Sequence, residues 1–168
     1  EWAAKSGGKF TGIIIPNVFG PFGKPNYNSF VATFCHKLIH NESPAILTDS
    51  DVSLIYVGEL VSKIIEMIRE SESRETVEIS PTSTHKVSEI LNLLERYRDE
   101  YFGNGEIPEL KDQFELNLFN TFRSFIDHKP RFPVKFVQHT DPRGAFVEVI
   151  RLGVGGQVSF STTVPGIT

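Results

Sequence analysis

The chain has 168 residues, a formal charge of -4, and 23% charged against 39% hydrophobic residues, an ordinary globular balance. Acids and bases alternate along it without a basic face, which argues against a nucleic-acid partner, and no apolar run approaches the ~20 residues of a membrane span. The single cysteine, Cys35, cannot form an internal disulfide, so a reducing, cytoplasmic setting is expected.

Residues 1–6 read as the end of a helix, with Gly7-Gly8 as its stop. Residues 9–15 end in Ile13-Ile14-Ile15, a β-branched run typical of a strand buried on both faces. Pro16-Asn17 closes that strand, and Gly20-Pro21 and Gly23 turn the chain. A helix is expected over 29–40, capped by Asn26 or Asn28. His36 and His40 lie four apart near its end, a metal-ligand spacing, but no third ligand is evident, so they read as solvated. Strands are expected at 45–47 and 52–57. A helix follows from Gly58 to about Ser71, with Leu60, Val61, Ile64, Ile65 and Ile68 forming an apolar stripe for the core. Thr76 to Ile79 reads as a strand and 81–84 as a loop. A helix capped by Ser88 runs to Tyr101, with Ile90, Leu91, Leu94 and Tyr97 inward. A last helix begins at Lys111 or Asp112 and ends near Ile126, with Phe114, Leu118, Phe122 and Phe125 on one stripe. Strands alternating with helices predict the later part of a doubly wound α/β domain over 1–127.

Residues 128–133, His-Lys-Pro-Arg-Phe-Pro, read as a linker. Beyond it the helical period disappears, and strands are expected at 134–137, 145–152 and 157–163. This predicts a second, all-β domain beginning at 134. The first residue is Glu1 and the chain stops in mid-pattern at Thr168, so an internal piece of a longer protein is expected.

Two stretches carry chemistry. A strand that ends in Pro16-Asn17 and a Gly/Pro loop is a candidate site wall, because open parallel sheets bind ligands beyond strand carboxyl ends; an ordinary turn explains the same pattern. In the second domain, Asp141-x-Arg143-Gly144-x-Phe146-x-Glu148 puts Phe146 and Glu148 on one strand face. Arginine suits a diphosphate, although a surface Arg–Glu pair beside a core Phe is the simpler alternative.

The segments PNVFG, PNYNS and VATFCH, at residues 16–20, 25–29 and 31–36, resemble the CapF/WbjC family. These are extended short-chain dehydrogenase/reductases (SDR) fused to a C-terminal cupin, a jelly-roll domain. Residues 141–148 resemble the opening of cupin-type nucleotide-sugar 3,5-epimerases, and 156–168 also match the capsular family. The resemblance implies an α/β fold: the C-terminal part of a Rossmann-like SDR domain followed by the first cupin strands. It implies Pro16 near the nicotinamide of NADPH, and Asn17, Asn28 and Tyr56 at a UDP-sugar. Arg143, Phe146 and Glu148 would line a second sugar-nucleotide site. Tyr56-Val57-Gly58-Glu59 matches the family except that Glu59 replaces a shorter acid. The strand arginine that often contacts the diphosphate is missing, since no Arg or Lys lies between Lys37 and Lys63.

No catalytic residue is assigned. The Tyr-x-x-x-Lys pair that protonates the ketone as hydride arrives is implied upstream of Glu1. No metal ligand is assigned either, and a divalent metal, zinc by resemblance, belongs to the complete cupin. The implied reaction epimerises a UDP-4-keto-6-deoxy-HexNAc and reduces it to UDP-2-acetamido-2,6-dideoxy-L-talose, in capsule or O-antigen synthesis. The implied assembly is a homodimer or other homo-oligomer through the cupin strands, whose open edges invite pairing. Another NAD(P)-dependent sugar-nucleotide epimerase or dehydratase, or a non-catalytic binding or assembly module, stands as the alternative.

Overall fold

The computed structural model describes residues 1–70 and 74–166. It begins with α1 (Trp2–Ser6), stopped by Gly7 at φ 67, and β1 (Thr11–Ile14), which pairs parallel with β4 (Arg74–Glu78). Pro16 then interrupts the line. Proline has no N–H to give a ladder, and the chain restarts as β2 (Asn17–Phe19) in a different sheet. There β2 runs parallel to β3 (Asp51–Tyr56), and β3 runs antiparallel to β5 (Ser83–Lys86).

Helices α2 (Phe30–Ile39), α4 (Val87–Tyr97) and α5 (Gln113–Arg123) cover this second sheet. Their stripes meet in a core that includes Leu38, Leu54, Ile90, Leu94, Tyr97, Leu118 and Phe122, all fully buried. Each such aliphatic or aromatic side chain contributes about 1.5–3 kcal/mol by leaving water. Cys35 is buried in it, and burial pushes its thiol well above the ordinary range. Ser29 caps α2, its hydroxyl accepting from the Ala32 N–H at 3.3 Å, in place of Asn26 or Asn28. Asp112 caps α5 through the Glu115 N–H at 2.8 Å. Helix α4 starts one residue before Ser88, so Ser88 is not its cap. Asp49, from a distant loop, instead accepts from the Ser88 N–H at 2.9 Å and hydroxyl at 2.8 Å. Helix α4 continues into a π-helical turn, Arg98–Gly103.

Several expectations are corrected. Residues 45–47 form no strand, because nothing pairs with them. The strand β5 was hidden in a polar run, Ser-Thr-His-Lys, and exists because β3 has a free edge for it. The isoleucine strand is not buried on both faces: Ile14 is 57% exposed, since β1 has β4 alone as its strand partner among the described residues. The stripe of α3 (Val57–Glu70) is only half used. Leu60 packs with Ile55 and Ile79, while Ile68 is 70% exposed. The expected end of that helix at Ser71 lies outside the described residues.

The expected linker holds one helical turn, α6 (His128–Arg131). Residues 134–137 are not a strand; the first strand after the linker is the polar β7 (Gln138–Asp141), followed by β8 (Gly144–Leu152) and β9 (Gln157–Thr163). All three pair antiparallel through β8. The short β6 (Glu106–Ile107) pairs parallel with Arg151 and Leu152 at the end of β8, so this sheet draws one strand from before residue 127. A hydrogen bond from Gly153 N–H to the Ile107 carbonyl at 2.8 Å extends that pairing. No described helix is long and apolar enough to cross a membrane.

Candidate functional site

The parallel pair β2–β3 sets the first site. Asn17 stands opposite Leu54 and Phe19 opposite Tyr56. Pro16 is half-buried at the bend, and Asn17 is exposed, its amide donating to the Ser53 carbonyl at 3.2 Å. Asn17 thus opens β2 as well as following β1. Beyond Phe19, Gly20 passes so close to Val57 that a Cβ at this position would collide with it, so only glycine fits. Phe19 is buried between the rings of Tyr56 at 5.5 Å and Phe114 at 5.6 Å.

The loop then brings Phe22 round with φ 62, a left-handed conformation rare for a bulky residue. Its N–H donates to the Ser124 hydroxyl at 3.1 Å, and Ser124 in turn donates to the Thr121 carbonyl at 2.7 Å. This clamps the Gly-Pro loop to the end of α5. A cleft of about 460 Å³ lies between the loop, the end of β3 and the helices α5 and α6. Tyr56 lines it, but Asn17 and Asn28 do not. Asn28 is exposed just ahead of the α2 cap.

Two arginines that the sequence reading left to a helix end and a linker, Arg123 and Arg131, also line this cleft. Nothing in the sequence places them there except their position after the last helical stripe. Arg123 donates to the Asn120 side-chain carbonyl at 2.6 Å and sits 5.1 Å from the Phe119 ring. Arg131 donates to the Phe102 and Tyr101 carbonyls at 2.8 and 3.1 Å, and lies 4.6 Å from the Phe102 ring. All these partners are neutral, and no Asp or Glu lines the cleft.

Glu59, the departure from the family pattern, holds the site together. One carboxylate oxygen accepts from the Tyr56 N–H at 3.3 Å and from the Thr82 hydroxyl at 2.6 Å. The other accepts from the buried Asn117 amide at 3.4 Å. The longer side chain therefore ties the end of β3 to the β4–β5 loop and to α5.

The second candidate site is an open groove of about 350 Å³ at the β7–β8 turn, lined by Arg143 and Phe146 together with His139, Thr140 and Thr162. Glu148 is not among its lining residues; it pairs with Arg151 instead. Arg143 folds back on Asp141, donating from Nη2 at 2.7 Å and Nε at 3.0 Å. This guanidinium and then the Arg143 N–H hold the Asp141 carboxyl below its ordinary value. The simple Arg143–Glu148 pair is thus not formed. Gly144 has φ 154, and a Cβ there would strike the Thr162 backbone.

Toward a nicotinamide cofactor, the residues past β1 offer half-buried Pro16 and exposed Asn17. The described residues carry no glycine-rich turn at a helix N-terminus to take the dinucleotide phosphates. No group of three or more His, Cys, Asp or Glu among the described residues could hold a metal. His36 and His40 stack with centroids 4.1 Å apart, and His40 Nδ1 lies 2.8 Å from the His36 carbonyl.

Comparison with known proteins places the fold first. A UDP-N-acetylglucosamine 4-epimerase from Methanobrevibacter ruminantium superposes with TM-score 0.57 over 74% of this chain and 48% of its own, at 18% identity, which establishes a shared α/β fold. No family model matches the chain. CapF from Staphylococcus aureus, a capsular polysaccharide assembling protein, superposes with TM-score 0.77 at 30% identity, over 94% of this chain and 44% of CapF. The UDP-2-acetamido-2,6-beta-L-arabino-hexul-4-ose reductase of Pseudomonas aeruginosa is 31% identical over 156 residues, 92% of this chain and 41% of the reductase. The chain is a homologue of these CapF-type proteins, as its motifs implied, and it spans less than half the length of the relatives it matches.

Proposed function

We propose that this chain is the substrate-facing part of a bifunctional sugar-nucleotide enzyme. In the complete protein, an SDR domain containing residues 1–127 reduces the 4-ketone of a UDP-4-keto-6-deoxy-HexNAc, and a cupin beginning at 134 epimerises the same sugar. The observation that carries this reading is the similarity to a UDP-hexulose reductase along 92% of the chain. The position of Tyr56 at the carboxyl end of β3, and of Asn17 just past β1 where it opens β2, supports it. The product would be UDP-2-acetamido-2,6-dideoxy-L-talose.

Bound NADPH supplies the hydride in this scheme. The part played by this chain is orientation: Asn17 presents an amide toward the sugar, and Tyr56 and Glu59 fix the end of β3. Holding the substrate in one pose is worth much of the barrier lowering in such reactions. No metal step is assigned to these residues. The complete protein is proposed to work in the cytoplasm as a homo-oligomer joined through its cupin strands, β9 being exposed along its whole length.

The test is loss of reduced-nicotinamide absorbance when the complete protein meets NADPH and a UDP-4-keto-6-deoxy-HexNAc. Consumption with this substrate and none with UDP-glucose is expected. No consumption with the keto sugar would overturn the reading.

A further inference from the structure

We propose that the cleft between the Phe22 loop, Tyr56 and the helices α5 and α6 holds the diphosphate of the sugar nucleotide between Arg123 and Arg131, with the Phe22 ring against the base. This rests on the sugar-nucleotide reading above and assigns a site that the strand pattern left without a cation.

The charge argument comes first. Two guanidinium groups line one cleft, every partner of both is neutral, and no carboxylate lines it. Such a pair attracts an anion, and guanidinium forks match phosphate oxygens two at a time. The contrast with Arg143 is direct: that arginine already spends two of its donors on Asp141. Arg131 is held rigid by two carbonyls and keeps donors in reserve. Arg123 is exposed and tethered by one bond to Asn120.

Position comes second. Asn17 and Tyr56 lie on adjacent parallel strands, with Tyr56 two residues further along in register. At roughly 3.3 Å per residue that is about 7 Å, the scale of one sugar ring. A sugar beside Asn17 and a diphosphate beside Tyr56 are thus spaced as in one sugar nucleotide, and the arginines lie on the Tyr56 side. The cleft volume of about 460 Å³ falls within the ~300–1,000 Å³ usual for small-ligand sites.

The third observation is Phe22. It is 85% exposed and has φ 62, so the chain holds an apolar ring in water in a strained conformation. The Ser124 hydroxyl keeps it there. A planar base stacking on that ring explains both costs.

The experiment is calorimetric titration of the complete protein with UDP and with uridine, for the unsubstituted protein, Arg123→Gln, Arg123→Lys and Phe22→Ala. Arg123→Gln is expected to weaken UDP by about 10- to 100-fold, the scale of charge-assisted hydrogen bonds, and to leave uridine and the melting temperature unchanged. Arg123→Lys should recover part of the UDP affinity. Phe22→Ala should weaken UDP and uridine by equal factors. UDP affinity untouched by Arg123→Gln would overturn the cleft assignment while leaving the sugar-nucleotide reading standing. Absence of UDP binding by the unsubstituted protein would overturn both.

Discussion

Phe122 on α5 is fully buried and Phe160 on β9 is 58% exposed, although both sit in clear apolar patterns. The difference lies in what faces them. Around Phe122, three helices and a sheet present stripes to one another, so each apolar residue finds several partners. The alternation of β9 is as regular, but no layer covers Val158 or Phe160 among the described residues. A periodic pattern says which face wants cover, and only topology says whether cover arrives.

Truncation gives the sharpest form of that contrast. Phe122→Ala should cost about 3–5 kcal/mol through lost burial and a cavity, whereas Phe160→Ala should stay within about 0.5 kcal/mol. Chemical denaturation of the 168-residue chain itself checks both. Equal losses would show that β9 is covered in this chain as well.

A smaller effect is expected where the α/β region buries charge. Glu115 is 7% exposed and pairs with Arg96 at 2.9 Å. It also fixes the Lys111 N–H at 3.4 Å. Glu115→Ala should cost about 2–4 kcal/mol, because it strands a partly buried guanidinium. Breaking the exposed Asp141–Arg143 pair at 2.7 Å should leave stability almost unchanged, because solvent screens it. A loss for Asp141→Asn as large as for Glu115→Ala would contradict the burial argument.

Smaller again is the pH effect at Asp49. Hydrogen bonds from the Ser88 N–H and hydroxyl lower its carboxyl below the ordinary value. A lowered folded pKa stabilises above the unfolded value, about 3.9, and that gain is lost as pH falls through the lowered one. Asp49→Asn should therefore lower stability at pH 7 and flatten the acid limb, the variant and the unsubstituted protein converging once the pH is below the lowered value. Cys35 offers a null effect as a control: native protein should resist thiol alkylation, since burial keeps the thiol protonated, and denaturant should restore it.

Much of this was legible in the residues. The helices α2, α4 and α5 followed their stripes. What failed did so for stated reasons. Ala45, Ile46 and Leu47 are apolar but meet no strand, whereas Ser83 to Lys86 and Gln138 to Asp141 are polar and become strands because a free edge waits for each. A cap supplied by Asp49 to a helix 39 residues away leaves no local trace. Arg123 falls near the end of an expected helix and Arg131 in the expected linker, and only the packing of α6 beside the Phe22 loop brings them into one cleft.

The central claim is that the substrate lies between the β1-to-β2 bend and the carboxyl end of β3, with Asn17 at the sugar. Steady-state kinetics of Asn17→Ala in the complete protein test it most directly. The account predicts a KM for the keto sugar nucleotide raised about tenfold or more, the loss of one or more substrate hydrogen bonds, with the KM for NADPH nearly unchanged. Equal rises in both, or no change in either, would contradict it.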